Sequence, residues 1–308
     1  MNANKPFMML DSQKLSFSGH ETFPFRYGWI PKGVQQVLQY DDLFARGDAV
    51  VILGVGKNMV QSILYWTKVL GMINSPTRGK YVVSDLGEKL FGEDGWDPYL
   101  EDPGTLWLLH WRLTSRLEFA STWYLAFTVW NSAEFTRLNL EDWLLKTAKQ
   151  YPSTRVTTSS LHRDVDVFLR TYIPADSNRT LMTEDTFDCP LVELGLIEEI
   201  EKNGTYRFMR GSKSSLPDLI FLYGLLDYWG TLPQKQDAIS FEKLLHSAGS
   251  PGGIFKLSEN ALVDNLENLP PWSGLVLDDT AGMRTVFRRS RNITPMEVLE
   301  RYYQEQRV

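Results

Sequence analysis

His20 and Glu21 lie side by side in the segment Phe17-Ser-Gly-His-Glu-Thr-Phe-Pro-Phe-Arg-Tyr-Gly-Trp29. A histidine beside a carboxylate can act as a general base or hold a metal ion. Neighbours in sequence rarely point the same way, so the competing reading is a structural histidine with a capping glutamate. His162 and Asp166 are four apart in a helical pattern and share a face. They form either an oriented catalytic pair, a metal pair or a surface pair, and Asp164 falls on another face. His110 and His246 have no evident partner. Cys189 is the single cysteine. It excludes an intramolecular disulfide and any cysteine-based zinc or iron–sulfur site within one chain, and it reads as a small buried hydrophobe.

A second chemistry is recognition of a polyanion. No acidic residue occurs between Asp48 and Asp85, whereas Lys57, Lys68, Arg78 and Lys80 do. Gly54-Val-Gly-Lys57 is close in letters to a phosphate loop, but Val51 stands where that pattern needs Gly and Asn58 where it needs Ser or Thr. No nucleotide is expected there. The segment reads instead as the turn and first residues of a helix. Lys57, Asn58, Gln61 and Ser62 would then be exposed, with Asn and Gln suited to adenine edges and Lys to guanine or phosphate. Arg78 and Lys80 would touch the DNA backbone. The alternative is the same element used for protein contacts. Arg284, Arg288, Arg289 and Arg291 form a second run, with no acid between Asp279 and Glu297. It reads as a phosphate-contacting wing or as a solvated face.

These residues need elements to hold them. Residues 1–16 lack a period and read as a loose arm. Pro31 to Tyr40 is a short helix, as is Asp48 to Leu53. Lys57 to Leu70 has the apolar spacing of an amphipathic helix, with Gly71 as its stop. Ile73 to Val83 reads as two short strands around a Pro/Gly turn, and Ser84 caps another helix through Leu90. This order is the winged helix-turn-helix plan. Residues 93–102, acidic and broken by Gly and Pro, read as a linker. One long helical stretch is expected from Pro103 to about Asn131, a helix after Asn139 with a cap at Asn139 and Asp142, and another over 157–173. Six of the ten Trp (96, 107, 111, 123, 130 and 143) mark this helical middle. Pro190–Ile197 and Gly204–Phe208 suggest a helix-plus-hairpin unit, and Leu216–Trp229 an apolar helix. Phe241–Ala248, a Ser250–Gly253 turn, Ser258–Leu269, a hairpin around Asp278–Gly282 and a helix from Thr294 repeat the winged plan.

The fold class is therefore mainly α with small β hairpins: winged helix-turn-helix modules at 1–92 and 231–308 around a helical middle domain at 103–230. The 308 residues carry 32 Lys+Arg against 38 Asp+Glu, a net charge of −6, with 43% hydrophobic and 23% charged residues. That composition excludes global disorder. No secretory pattern or apolar run long enough to span a bilayer is present, so a cytoplasmic protein is expected. The mild acidity excludes a uniformly basic coat but not a local basic patch. Nuclease signatures such as a His-Asn-His cluster or a His-x-Lys motif are absent, as is a Gly-x-Ser-x-Gly elbow.

The Phe17–Trp29 segment, Asp48-Ala-Val-Val-Ile-Leu-Gly-Val-Gly-Lys-Asn-Met59 and Tyr65-Trp66 resemble a bacterial family formerly of unknown function. Its members occur beside sulfur-transfer enzymes related to phosphoadenosine-phosphosulfate reductase, and include the SspB-like components of Ssp DNA phosphorothioation systems. The likeness continues at Ser160–Tyr172, Pro190–Ile197 and Ser250–Leu266. The resemblance implies double-stranded DNA as a partner and strand nicking as an activity, with Mg²⁺ or Mn²⁺ as the accompanying ion. It also implies an ATPase and an ATP pyrophosphatase-like sulfur-transfer enzyme as protein partners, and a homodimer is open. The alternatives are a non-catalytic DNA adaptor and a protein-interaction scaffold. The resemblance assigns no cutting residues; His20 and Glu21 are candidates from their types alone.

Overall fold

The structure, a computed structural model, describes residues 14–175, 189–200, 204–233, 236–280 and 282–306. Most of the expected loose arm (1–13) lies outside them. Helices dominate, joined by small antiparallel sheets. The N-terminal block comprises α1 (Trp29–Gln39), α2 (Ala49–Leu53), α3 (Lys57–Val69), the strands β1 (Ile73–Thr77) and β2 (Lys80–Val83), and α4 (Asp85–Phe91). Gly54 closes α2 at φ +63°, a left-handed conformation that glycine adopts at little cost. Val60, Ile63, Trp66 and Val69 form the buried stripe of α3. Ser84 caps α4 by accepting from the Gly87 amide at 3.0 Å.

The middle is built from α5 (Pro103–Thr114), α6 (Ser121–Thr128), β3 (Glu134–Thr136), α7 (Arg137–Ala148) and α8 (Thr158–Tyr172). The single helix expected from Pro103 to Asn131 is broken at 115–120. At the break the chain is held from outside. The Ser121 amide donates to the Ser16 carbonyl at 3.1 Å, and the Ser121 hydroxyl accepts from the Ser16 amide at 2.7 Å. The cap of α7 lies earlier than expected, at Thr136, which forms a reciprocal capping box with Asn139. Pro190–Leu194 is a 3₁₀ turn rather than a full helix, and leads into β4 (Ile197–Ile200) and β5 (Thr205–Phe208). β3 joins this hairpin on the far side of β5, with Phe135 opposite Tyr206.

The C-terminal part contains α9 (Asp218–Gly230), β6 (Ala238–Ser240), α10 (Phe241–His246), α11 (Pro251–Ile254), α12 (Glu259–Glu267), β7 (Leu275–Thr280), β8 (Met283–Arg288) and α13 (Pro295–Gln306). Ser250–Gly253 is a single helical turn, not an open turn. β8 is central in a three-stranded sheet, with Ile239 of β6 opposite Val286 and Val276 of β7 opposite Phe287.

One continuous core runs from Leu15 to Tyr303. Trp66 of α3 meets Trp123 of α6 edge to face, 5.5 Å between centroids. Residues 93–102 are not a free linker. Asp97 is buried and accepts from the Glu101 and Asp102 amides, and Trp96 stacks on Tyr303 at 4.7 Å. No helix among the described residues is long and apolar enough to cross a membrane.

Candidate functional site

The first turn of α3 is polar and exposed. Its N-cap is Gly56, which offers no side chain to the first amides, and no acid sits in the first turn. Those amides and the positive end of the helix therefore face outward uncompensated. Lys57, Asn58 and Gln61 are exposed here, and Lys68 lies further along. Ser62 is different. It is fully buried, its hydroxyl has no partner, and it points into the core. The expectation that Ser62 is exposed for DNA contact is thus corrected: it follows Gln61 onto the side of the helix that carries Ile63 and Trp66.

Arg78 is exposed at the tip of the β1–β2 hairpin. Lys80 is exposed but its Nζ lies 2.6 Å from Asp41, which raises the ammonium's pKa through that hydrogen bond. Among the described residues, the hairpin thus presents one cation in no ion pair, Arg78, and one already engaged by a carboxylate.

The C-terminal arginine run is more heavily neutralised. Arg284 pairs with Glu259 at 2.9 Å and Asp279 at 3.1 Å. Arg291 pairs with Asp237 at 2.7 Å. Arg288 turns inward, donating to the Ser290 and Ile293 carbonyls over the Trp229 ring, and burial lowers its pKa. Arg289 is exposed. Linear sequence shows a basic run; the fold brings acids from β7, α12 and the segment before β6 against it. The charge of a continuous phosphate-binding wing is absent there, and Arg289 alone retains an open position.

His20 is 1% exposed. Its Nδ1 accepts from the Thr22 amide at 3.2 Å, so Nε2 carries the proton and donates to Asp164 Oδ1 at 2.8 Å. Asp164 also accepts from the Ser18 amide at 2.6 Å and from the Thr122 hydroxyl. The imidazole lies over Trp66 and meets Tyr65 and Trp123 edge-on. Burial, with the Asp164 charge, pushes the Tyr65 phenol well above its ordinary pKa. Gly19, at φ +102°, leaves no room for a side chain: a Cβ would lie 2.7 Å from the Tyr65 ring. Ser18, Glu21 and Thr22 also have positive φ. Both ring nitrogens of His20 are engaged and the ring is sealed from solvent, so the expected catalytic role is corrected: no substrate reaches it. Glu21 faces solvent on the other side of the loop.

His162 pairs with Glu141 at 3.0 Å rather than with Asp166, which binds Arg170 and Arg137. His110 is buried between the Tyr172 hydroxyl at 2.8 Å and the Ile254 carbonyl at 2.9 Å. Asp164 is the residue that reading by helix face undervalued. It sits among Leu161, Val165, Phe168 and Tyr172, the buried stripe of α8, and an acid within such a stripe signals a buried partner. Among the described residues no group of three or more His, Cys, Asp or Glu side chains is placed to hold a metal ion.

The family model described as "Protein of unknown function (DUF4007)" matches residues 17–303. Two solved structures are similar over nearly the whole length. "Magnesium ion-bound SspB crystal structure" is 32% identical, with a TM-score of 0.84, covering 97% of this chain and 91% of that one. "SspB crystal structure" is 32% identical at a TM-score of 0.85 with the same coverage. No match is found among curated proteins. With a family match across nearly its full length and two such neighbours, the chain belongs to the DUF4007 family and is an SspB-like protein.

Proposed function

We propose that this protein is a DNA-binding component of a bacterial DNA phosphorothioation system and grips duplex DNA with its N-terminal block. The carrying observation is the exposed set Lys57, Asn58 and Gln61 on an uncapped, acid-free helix start. The order α1, α2, tight turn, α3, hairpin is that of a winged helix-turn-helix, which would lay α3 in the major groove and Arg78 on the backbone. The C-terminal block contributes at most Arg289, since its other arginines are already occupied. The partners consistent with this role are the ATPase and the sulfur-transfer enzyme of such a system, with self-association open.

Strand nicking is a second reading, favoured by the magnesium named in one solved SspB structure. The described residues offer no three-ligand metal site. Magnesium is usually held by one or two carboxylates with water and phosphate oxygens. The test of both readings is one gel of supercoiled plasmid with purified protein, in Mg²⁺, Mn²⁺ or EDTA, before and after deproteinisation. A mobility shift that disappears on deproteinisation is the outcome expected for DNA binding. Open circles that survive it and vanish in EDTA establish nicking. Neither shift nor nick would overturn the DNA reading for the isolated chain and favour a scaffold.

A further inference from the structure

We propose that a cavity away from α3 binds a nucleoside monophosphate unit. It measures about 740 Å³ and is lined by residues 14–18 and 155–157, by Ser160 and by Glu118. That volume is within the roughly 300–1,000 Å³ of small-molecule sites. Two cations, Lys14 and Arg155, line it, and among the described residues neither forms an ion pair. Ser18 and Ser160 add hydroxyls, while Phe17 and Val156 add apolar surface.

The walls are pre-set. The Leu15 amide donates to Thr154 Oγ1 at 3.0 Å, the Ser16 amide to Ser121 Oγ at 2.7 Å, and the Ser18 amide to Asp164 at 2.6 Å. The His20–Asp164 bond therefore fixes one wall to the helix that forms the other. This gives the aromatic Gly/Pro segment a positioning role that burial denies it in direct catalysis. A site ordered in advance loses less entropy on binding.

The mixture of groups selects the ligand. A guanidinium and an ammonium together match a phosphate, with arginine able to bind two oxygens. The Ser160 hydroxyl accepts from Thr157, which leaves its own proton free to donate. A bare inorganic anion would use only this half. Phe17 and Val156 suit a base or sugar face, and the Glu118 carboxylate suits a sugar hydroxyl or a base amino group, as acids do in nucleotide sites. The unit has two possible sources, a free mononucleotide or the 5′-phosphorylated end of a DNA strand. The inference does not depend on α3 binding DNA.

Calorimetry on the full chain separates these sources, using dAMP, deoxyadenosine, inorganic phosphate and a short DNA hairpin with or without a 5′-phosphate. If free nucleotide is the ligand, dAMP binds at least about tenfold more tightly than deoxyadenosine or phosphate, and Arg155→Gln removes about tenfold, as expected for loss of a charge-assisted contact. If a strand end is the ligand, the 5′-phosphate tightens hairpin binding by a similar factor, and Arg155→Gln abolishes that difference. Lys57→Ala changes neither preference, which keeps failure here distinct from failure of the groove assignment. Arg155 is exposed in a loop, and an unchanged melting temperature verifies the fold of the variant. Absence of any 5′-phosphate preference in both ligands, or a preference that Arg155→Gln leaves intact, overturns the proposal.

Discussion

His20 shows how a residue suited to catalysis by type is removed from it by position. Its two nitrogens, Asp164, Thr122 and the Ser18 amide form a closed set with no open valence toward solvent. His20→Ala would take a donor from a buried carboxylate and leave a void among Tyr65, Trp66 and Trp123. The expected loss is about 3 kcal/mol of unfolding free energy, measured by urea denaturation, whereas the exposed Glu21→Ala changes stability by no more than about 0.5 kcal/mol. Equal, small effects at both positions would contradict the buried-pin assignment. The chemical types of His20 and its aromatic segment are plain in the sequence. Its partner is 144 positions away, and no local period reveals which acid a tertiary fold brings inside.

At the scale of elements, the amphipathic stripe made α3 legible from the sequence, because its packing follows a single face with period 3.6. Ser62 escaped that reading because a small polar residue fits the stripe without announcing which side it takes. The break between α5 and α6 was also illegible, since the bonds that hold the chain where α6 begins come from the remote Ser16. So were β3 and β6, three-residue strands that exist only as added edges of hairpins. His110 shows a different joint between elements. It lies on α5 and bonds Tyr172 of α8 and the last residue of α11. The Nε2–H donates to the Ile254 carbonyl, and the Tyr172 hydroxyl donates to Nδ1. Burial, reinforced by the Lys256 charge, pushes its pKa down to about 3 against an opposing effect of the Ile254 carbonyl. The unfolded chain therefore binds this proton near pH 6.5 and the folded chain does not. The associated stability is complete above that pH and is lost as pH falls toward about 3, by up to ~1.4 kcal/mol per pH unit. Urea midpoints across that window should fall in the wild type and fall less in His110→Gln; parallel profiles would contradict the assignment.

For the whole molecule, a net charge of −6 is compatible with DNA binding only if cations are segregated from acids. Among the described residues Lys57 and Arg78 form no ion pair at the N-terminal block, whereas carboxylates cover Arg284 and Arg291 at the other end. Charge in the linear sequence looked similar at the two ends because the neutralising acids come from other elements. Contact of DNA with the first turn of α3 and the hairpin tip is measured by fluorescence anisotropy of a labelled duplex over a salt series. Lys57→Ala and Arg78→Ala should each weaken binding and reduce the slope of log affinity against log salt by about 1, while Ser62→Ala, changing only a buried hydroxyl, should leave that slope unchanged. Wild-type affinity and salt slope retained in both Lys57→Ala and Arg78→Ala would contradict the assignment.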